Sequence, residues 1–356
     1  MQQIGLRVWG DPLRYNANLM TGSMTMELLF LGTSAGIPTL HRNVSALAVR
    51  RRASKSWVLI DCGEGTQHQL LRTSLSLATL SAVCITHVHG DHCYGLFGLL
   101  ASAGMAKRTE PLLIIAPQGV EEMVRTVARC SDWYVSYELH FVDVASLTQA
   151  VETEHFYIHA TPLSHRVPSY AYVLDEKITQ RALNVEKLDA AQVTRGPIWQ
   201  QLQYGQNVQL TDGRYLEAEQ YLLPPRPARR VIVGGDNDTP ALLSEVAKTA
   251  HVLVHEATYS EAVALKVGAF PQHSDAKTVA RFAESAQIAN LVLTHFSARY
   301  GHEAHHTPNV LELEQEAASV YSGNLALASD FAVFYLDQQG VLHAQKTATD
   351  AASMAV

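Results

Sequence analysis

The 356-residue chain lacks long apolar runs and is poor in cysteine, and both shortages restrict where the protein works. No apolar segment approaches the roughly 18 residues that a membrane-spanning helix needs. Residues 1–25 have no apolar core of the kind found in secretory signals. The cysteines form no CxxC pair and lie in or beside apolar segments, as Cys62, Cys84, Cys93 and Cys130. These features predict a cytoplasmic protein with buried, reduced thiols and no membrane partner.

Charged residues are also few, at 17% of the chain, and the formal net charge is −7 at pH 7. A polyanionic partner must therefore be met by local basic patches and not by global attraction. One basic run comprises Arg50–Arg52 and Lys55, and another comprises Arg226, Arg229 and Arg230. Each run predicts either a contact with RNA or a solvated loop. Composition alone neither indicates nor excludes nucleic acid.

Short apolar segments alternate with amphipathic ones between residues 26 and 345, which predicts one α/β domain built as a layered αββα sandwich. Strand candidates include ELLFLG, AVCITH, FYIHATPL, RVIVGGD and LVLTHF. Helix candidates include GTQHQLLRTSL, GVEEMVRTVARC and SDAKTVARFAESA, and Ser274 is the expected N-cap of the last.

Three segments depart from this rhythm. Residues 1–25 show no usable periodicity and are predicted to be a poorly ordered extension, and residues 346–356 have the composition of a tail. The polar segment from about 175 to 216 contains a Gly196-Pro197 breaker. It is predicted to be an insertion that projects from the sandwich.

The strand AVCITH runs into HVHGDH, which places four metal-capable side chains within six positions. His87 and His89 are two residues apart on an extended chain, so they point the same way. The following glycine lets the backbone turn, so that Asp91 and His92 face a neighbouring position. Imidazole and carboxylate suit zinc, and also manganese and cobalt. Because burial of such groups without partners is costly, the motif favours metal binding over packing.

The missing ligands are expected at the ends of later strands, which converge on one edge of a sandwich. His165, Asp236 and His295 each follow an apolar run. The predicted ligands of one ion are His87, His89, His165 and Asp236, and those of the other are Asp91, His92, Asp236 and His295. A carboxylate that bridges two ions about 3.5–4 Å apart suits a two-metal hydrolase. A single histidine at a strand end is more often structural, so the assignment of these later residues as ligands depends on the HVHGDH motif.

Further motifs cover residues 26–336 and resemble the metallo-β-lactamase superfamily and, within it, the ribonuclease Z (ribonuclease BN) family of tRNA 3′-end endonucleases. HxHxDH marks only the superfamily, whereas GEGTQHQ, SHRVPS, HEAT, HS and SARY in this order are specific to the family. The resemblance implies a metallo-β-lactamase four-layer sandwich with a flexible arm. It also implies two Zn²⁺ per subunit (Mn²⁺ or Co²⁺ as alternatives), a homodimer and precursor tRNA as substrate.

The resemblance assigns the same seven ligands and adds catalytic roles. Glu256 of HEATY and His273 of HSDAK are implied as a proton-transfer pair, since the departing ribose 3′-oxygen must be protonated. Asp91 is implied to hold or accept the proton of the attacking water. Asp61 resembles the aspartate that orients ligand histidines, and a strand-end turn residue is the alternative.

Substrate contacts are implied at two places. Arg299 and Ser297 of SARY are candidates for binding the substrate phosphate, with a solvated Arg299 as the alternative. Gly196 and Pro197 resemble the arm that grips tRNA away from the active site. The arm departs from expectation because its basic and acidic residues balance between residues 175 and 206, which is unusual for a phosphate clamp.

Three other positions depart from the family pattern without removing a ligand. Asn237 stands where the family usually has the threonine of Gly-Asp-Thr, Asp275 where it has threonine or serine, and Phe97 where proline is common.

The leading prediction is a metal-dependent endoribonuclease that cuts precursor tRNA after the discriminator base, leaving a tRNA 3′-hydroxyl and a trailer 5′-phosphate. Whether the same site also trims 3′ ends as an exonuclease is left open. A second hypothesis is a small-molecule phosphodiesterase, arylsulfatase or lactonase on the same fold, and the Gly-Pro insertion argues against it. A third is a metal-stabilised RNA-binding protein without catalysis, which would need neither an open metal site nor a positioned acid.

Overall fold

The computed structural model describes residues 25–177, 181–301 and 307–345. Apart from Thr25, the predicted extension lies outside the described residues, and so does the predicted tail, 346–356.

Nineteen strands lie within the described residues. They are β1 Met26–Gly32, β2 Ser34–Ala35, β3 Ala46–Arg51, β4 Trp57–Ile60, β5 Leu80–Cys84, β6 Leu112–Ala116, β7 Leu139–Asp143, β8 Val151–Glu152, β9 Phe156–Leu163, β10 Ser169–Glu176, β11 Val208–Gln209, β12 Tyr215–Leu216, β13 Arg230–Val233, β14 Val252–Glu256, β15 Asn290–Thr294, β16 Phe296–Ser297, β17 Asn324–Leu327, β18 Val333–Leu336 and β19 Leu342–Ala344.

Eleven α-helices and three short 3₁₀ helices accompany the strands in the same described residues. The α-helices are α1 Thr66–Leu70, α2 Gly90–Cys93, α3 Leu96–Met105, α4 Val120–Cys130, α5 Val185–Ala190, α6 Pro197–Gln203, α7 Ala218–Tyr221, α8 Ser244–Ala247, α9 Glu261–Val267, α10 Ala276–Ser285 and α11 Val310–Ala318. The 3₁₀ helices are Leu77–Thr79, Val144–Ser146 and Pro240–Leu243.

Most strands of the described chain form two mixed sheets. The first has eight strands in the order β19-β18-β1-β3-β4-β5-β6-β7, and the second has seven in the order β17-β15-β14-β13-β10-β9-β8. An apolar cluster that includes Phe30, Ile60, Tyr172 and Val254 fills the space between the sheets. Helices α1, α3 and α4 cover the outer face of the first sheet, and α10 and α11 cover that of the second. The predicted αββα sandwich is confirmed.

The segment between β10 and β13, called the arm below, contains α5, α6, β11, β12 and α7. These elements surround an apolar cluster of their own, which includes Leu188, Leu202 and Leu216 and shares no member with the sandwich clusters. The arm is therefore a small packed unit. Strand β10 already includes residues 175–176, and the cluster continues past 216 to Leu222.

Both basic runs are largely engaged within the fold. Glu176 accepts hydrogen bonds from Arg226 at 2.6 Å and from the buried Arg229 at 2.5 Å. Arg230 is paired with Asp175 at 2.7 Å. In the other run, Arg50 is paired with Glu27 at 2.6 Å. The run at 226–230 therefore attaches the root of the arm to the sandwich.

Two local predictions were inaccurate. Asp275, and not Ser274, is the N-cap of α10, because its carboxylate accepts from the backbone N–H of Thr278 at 2.8 Å. The Ser274 hydroxyl instead donates to the carbonyl of Asn237 at 2.5 Å. The predicted helix GTQHQLLRTSL contains only the five residues of α1.

None of the helices in the described residues combines the length and apolar character that crossing a bilayer requires.

Candidate active site

Parallel pairing brings the strand ends to one edge of the second sheet. Strands β13, β14 and β15 run parallel to one another, so their carboxyl ends meet. Asp236 follows β13, Glu256 ends β14 and His295 follows β15. His165 follows β9 of the same sheet. The HVHGDH motif approaches from the first sheet, where β5 ends at Cys84.

The structure brings together the four residues predicted for the first ion. One ligand-type atom from each of His87, His89, His165 and Asp236 lies within 4.8 Å of the others. His165 Nε2 is 3.2 Å from His89 Nδ1, and the Asp236 Oδ2 atom is 3.5 Å from His87 Nε2 and 3.7 Å from His165 Nε2. Four nitrogen and oxygen donors at this spacing suit a divalent ion.

The residues predicted for the second ion also converge. Asp91, His92 and His295 form one group within the same 4.8 Å limit. The Oδ1 atom of Asp236 lies 3.4 Å from Nε2 of both His92 and His295. The two oxygens of Asp236 therefore face different groups of histidines, which is the placement that a bridging carboxylate requires.

One orphaned atom supports a metal in this cluster. The Nε2 atom of the fully buried His87 has no hydrogen-bond partner. A buried polar atom without a partner is costly, and a cation among the neighbouring donors satisfies it. Burial also lowers the pKa of His87, His89 and His165, which keeps these rings in the neutral form that binds metal.

A surrounding layer of hydrogen bonds fixes the ligand rings. Asp61 Oδ2 is 2.7 Å from Nδ1 of His92, and its Oδ1 accepts from the backbone N–H of Thr86 at 2.7 Å. The Nδ1 atom of His295 is 2.9 Å from the Thr258 hydroxyl. That of His165 is 2.8 Å from the carbonyl of Gln272. Such contacts orient ligands and turn Nε2 of each ring toward the cluster.

Thr86 and Thr258 belong to this layer and were not anticipated. Their hydroxyls lie 3.0 Å from His87 Nδ1 and 2.9 Å from His295 Nδ1, respectively. Thr258 lies two positions after Glu256 in HEATY, and its place in that motif is the one sequence feature that could have pointed to it. His295 has a φ of 56°, and Asp61 has a φ of 59°. Left-handed backbone is rare for residues other than glycine and is often found at functional sites.

His273 and Glu256 form a hydrogen-bonded pair beside the cluster. His273 Nδ1 lies 3.0 and 3.2 Å from the two carboxylate oxygens of Glu256, which leaves Nε2 for another partner. The ring lies 5.1 Å from the ring of His165 and 5.5 Å from that of His295. Although burial opposes ionisation, the Glu256 carboxylate raises the pKa of His273 to about 9. The contact with Glu256 therefore favours the ring form that carries a hydrogen on both nitrogens.

The loop GTSAGIP, residues 32–38, contacts the site through Asp91. The backbone N–H of Gly36 donates to Asp91 Oδ2 at 2.7 Å. Strand β2 of this loop pairs in parallel with β16, which contains Ser297. The loop and the SARY segment thus lie side by side at the mouth of the site.

The predicted phosphate contacts lie at this mouth. Arg299 is exposed, donates to the Ser297 hydroxyl at 3.1 Å, and stacks over the ring of Tyr259 at 5.0 Å. Tyr259 itself lies 6.0 Å from the ring of His273. An exposed guanidinium is thus held near the His273–Glu256 pair.

Gly196 and Pro197 are not brought to this cluster. They are exposed in the arm, where Pro197 begins α6. The cations of the arm are largely engaged with other arm residues. Arg181 is paired with Glu219 at 2.7 Å, and Arg195 lies 5.1 Å over the ring of Trp199.

The three departures from the family pattern have different surroundings. Asn237 is fully buried; its side chain accepts a hydrogen bond from the backbone N–H of Ser164, and its own backbone N–H donates to Glu256. Asp275 caps α10. Phe97 packs on the apolar cluster beneath α3.

Comparison with known proteins gives one family-model match and several full-length relatives. The model described as "Anti-Pycsar protein Apyc1" matches residues 26–182, less than half of the chain. A ribonuclease Z from Pseudomonas putida is 50% identical over 319 residues, which are 90% of this chain and 99% of the relative. A ribonuclease BN from Escherichia coli is 38% identical over 312 residues, 87% of this chain and 99% of the relative.

Solved structures share the fold at lower identity. The short form of human tRNase Z has a TM-score of 0.59 and 24% identity, over 86% of this chain and 98% of that one. A long form of RNase Z from yeast has a TM-score of 0.60 and 15% identity, over 90% of this chain and 42% of that one. At these identities the two structures establish the common fold.

Proposed function

Because the chain belongs to the ribonuclease Z family, we propose that it cuts precursor tRNA directly after the discriminator base. It is a metal-dependent hydrolytic endoribonuclease of the metallo-β-lactamase fold, and it processes tRNA 3′ ends. The proposed products are a tRNA with a 3′-hydroxyl and a trailer with a 5′-phosphate. The observation that best supports this function is Asp236, which faces two groups of histidines beside the His273–Glu256 pair.

Two zinc ions are the proposed cofactors. His87, His89, His165 and Asp236 would hold one, and Asp91, His92, Asp236 and His295 the other. Five imidazoles and two carboxylates form a donor set typical of zinc. When bound, such ions supply Lewis acidity to the phosphate and lower the pKa of a water molecule.

Asp91 and His273 are the proposed catalytic residues. Asp91 accepts the proton that the attacking water gives up and is itself held by the N–H of Gly36. The water oxygen forms a bond to phosphorus while the bond from phosphorus to the ribose 3′-oxygen breaks. His273, whose Nδ1 is held by Glu256, then donates a proton from Nε2 to the departing 3′-oxygen.

Arg299 and Ser297 are proposed to bind a phosphate oxygen of the substrate. The Arg299 guanidinium has five donors, and its contacts with Ser297 and Tyr259 leave most of them available. A planar fork of this kind matches two phosphate oxygens. Because stacking on Tyr259 already restricts the Arg299 side chain, less conformational entropy is lost when the phosphate binds.

The arm is proposed to grip the tRNA away from the cut, through stacking and hydrogen bonds more than through phosphate pairing. Its cations are largely engaged within the arm, as Arg181 is with Glu219 and Arg195 is with the ring of Trp199. In contrast, the rings of Tyr204 and Tyr215 are 58% and 61% exposed. Aromatic rings stack on nucleobases without a sequence requirement.

A homodimer in the cytoplasm is the proposed state. Leu71 and Met105, at the ends of α1 and α3, are 83% and 84% exposed, which favours a contact through this helical layer. Light scattering tests it, since a dimer has about twice the 39.1 kDa mass of the chain. A monomeric mass at micromolar concentration would contradict the dimer. Cys62, Cys84 and Cys93 are buried as predicted, whereas Cys130 is exposed, so the prediction was wrong for that thiol. All four are free, which is consistent with a reducing compartment.

Two variants test the proposed catalytic roles. Asp91→Ala and His273→Ala should each reduce cleavage of precursor tRNA by at least about 100-fold, because each removes a group that acts on the reacting atoms. The affinity for tRNA, measured by filter binding, should stay within a few-fold. A variant that keeps more than a tenth of the wild-type rate would refute the role of the residue that it lacks.

A further inference from the structure

Asn237 connects segments that meet at the active site. Its side chain is fully buried one residue after Asp236. The Oδ1 atom accepts from the backbone N–H of Ser164 at 3.2 Å and of Thr239 at 3.1 Å. Ser164 immediately precedes His165, so one end of this amide holds the loop of a proposed ligand.

The other end of the amide bonds to a buried histidine that the mechanism does not use. His255 Nδ1 is 2.9 Å from the carbonyl of Glu256, and only a protonated nitrogen can donate to that oxygen. The other ring nitrogen, Nε2, is therefore an acceptor in the neutral ring. It lies 3.1 Å from Nδ2 of Asn237, which donates to it.

The backbone of Asn237 holds the proton-transfer pair from two sides. Its N–H donates to Oε1 of Glu256 at 2.6 Å, and its carbonyl accepts from the hydroxyl of Ser274 at 2.5 Å. Ser274 directly follows His273. Both members of the pair are thus tied to a backbone segment that the Asn237 side chain anchors.

Only an amide satisfies all of these partners. With an aspartate at this position, a carboxylate oxygen would lie opposite His255 Nε2, and neither atom could donate a hydrogen bond. The aspartate would also be a third buried carboxylate near Asp236 and Glu256. The single hydroxyl of a threonine can donate only one hydrogen bond and is too short to span both sides. Asn237 and His255 therefore act as a matched pair in this chain.

We propose that Asn237, through its amide contacts with His255 and Ser164, is the positioning residue that aligns the His273–Glu256 pair with the departing 3′-oxygen. This inference rests on the proposed function, in which His273 donates the proton.

The test compares two substrates that differ in their need for an acid. Wild-type protein and Asn237→Ala are assayed on precursor tRNA, whose 3′-oxygen needs a proton, and on bis(p-nitrophenyl) phosphate, whose nitrophenolate leaves without one. For Asn237→Ala, kcat on precursor tRNA should fall about 100-fold. KM and the metal content should stay within about threefold, and kcat on the nitrophenyl ester should fall by less than about fivefold.

A double variant tests whether Asn237 acts through His273. Asn237→Ala with His273→Ala should be no slower on precursor tRNA than His273→Ala alone, because residues that work as one unit are not additive. Full additivity would overturn the proposal. An equal loss on both substrates, or a loss of metal in proportion to activity, would also overturn it.

Asn290→Ala is the matched control. Asn290 is 2% exposed, and its Nδ2 donates to the carbonyls of His251 and Gly340 at 2.6 and 2.9 Å. It begins β15, at the opposite end from His295. This variant should lose comparable thermal stability and keep kcat within twofold. If it reproduces the kcat loss of Asn237→Ala, the effect is general destabilisation and the proposal fails.

Two substitutions at His255 provide an independent readout if Asn237→Ala folds poorly. His255→Leu removes the acceptor of the amide and should lower kcat on precursor tRNA about tenfold. His255→Gln offers an acceptor oxygen and should recover to within about threefold of wild type. Equal activity of the two variants would overturn the pairing. Failure of wild-type protein to cleave any precursor tRNA would instead contradict the proposed function, so the two failures are distinguishable.

Discussion

At the residue scale, Asp236 occupies the position on which both proposed ions depend. Its two oxygens lie 3.4–3.7 Å from nitrogens of His87, His92, His165 and His295. A residue that contacts only one group, such as His165, should have a different effect when removed. Metal content therefore distinguishes a shared ligand from an unshared one.

Asp236→Ala should contain less than about 0.2 equivalents of metal per chain, because both coordination spheres lose an anionic ligand. His165→Ala should keep about one equivalent, since the group of Asp91, His92 and His295 is intact. Elemental analysis after dialysis measures both values. Asp337→Asn, which changes a carboxylate remote from the cluster, should retain the wild-type content. Two equivalents in Asp236→Ala would contradict the shared ligand.

The ligand-type residues could be predicted from sequence because they cluster in one motif or follow apolar strands. His87, His89, Asp91 and His92 are adjacent, and parallel strands place their ends at one edge. Thr258 and Asn237 could not be predicted in this way. A threonine or an asparagine in a loop has no distinctive pattern, and their partners are distant in sequence, as Ser164 is from Asn237.

At the scale of the element, the arm is a packed unit whose cations are largely engaged with other arm residues. Tyr204→Ala and Tyr215→Ala combined should raise KM for precursor tRNA by at least about 30-fold, since base stacking is worth about 1–3 kcal/mol per base and each ring would stack on one base. The kcat on bis(p-nitrophenyl) phosphate should not change. Tyr134→Ala is the control, because Tyr134 is 85% exposed outside the arm. An unchanged KM for the double variant would contradict stacking by the arm.

The root of the arm contains a buried ion pair. Arg229 is 1% exposed, and its guanidinium donates to Glu176 and to the carbonyl of Leu336. Glu176→Gln leaves Arg229 buried without its counter-charge and should lower the free energy of unfolding by about 3 kcal/mol at pH 7. Urea unfolding measures the difference. Glu245→Gln, in an exposed pair with Lys248, should change it by less than about 0.5 kcal/mol.

The pH dependence of the same pair has a defined sign. Although burial opposes ionisation, the hydrogen bonds and charges of Arg229 and Arg226 lower the pKa of Glu176 below its ordinary 4.5. The stabilisation is therefore complete above pH 4.5 and is lost as the pH falls through the lowered pKa. Wild type and Glu176→Gln should become similar in stability at acid pH. A difference that grows on acidification would be inconsistent with this assignment.

Helices and strands were predictable where the spacing of the apolar residues and the length of the segment indicated the same type of element. Helices α4 and α10 were predicted because their apolar residues recur at helical spacing, and β13 and β15 because each is a short apolar run. Helix α3, Leu96–Met105, was not anticipated, since its apolar residues surround the helix and show little periodicity. Helix α1 is shorter than predicted. It starts after Gly65, which has a φ of 79°, and its end is followed directly by the turn at Thr73.

At the scale of the whole molecule, the active site lies where the two sheets meet. HVHGDH approaches from the first sheet, while His165, Asp236 and His295 belong to the second. Ions held between them would join the two halves of the sandwich. The sandwich was predictable from the alternation of strands and helices, but the junction of the arm was not, because Glu176 and Arg229 are 53 positions apart in sequence.

The most direct test is incubation of the purified protein with a 3′-labelled precursor tRNA in the presence of zinc, manganese or cobalt, with an EDTA control. We predict a single metal-dependent cut directly after the discriminator base, which releases the intact labelled trailer with a 5′-phosphate. Release of the label as a mononucleotide would show exonucleolytic trimming in place of the proposed endonucleolytic cut. Cleavage that persists in EDTA, or turnover of bis(p-nitrophenyl) phosphate without any cut in precursor tRNA, would contradict the assigned function.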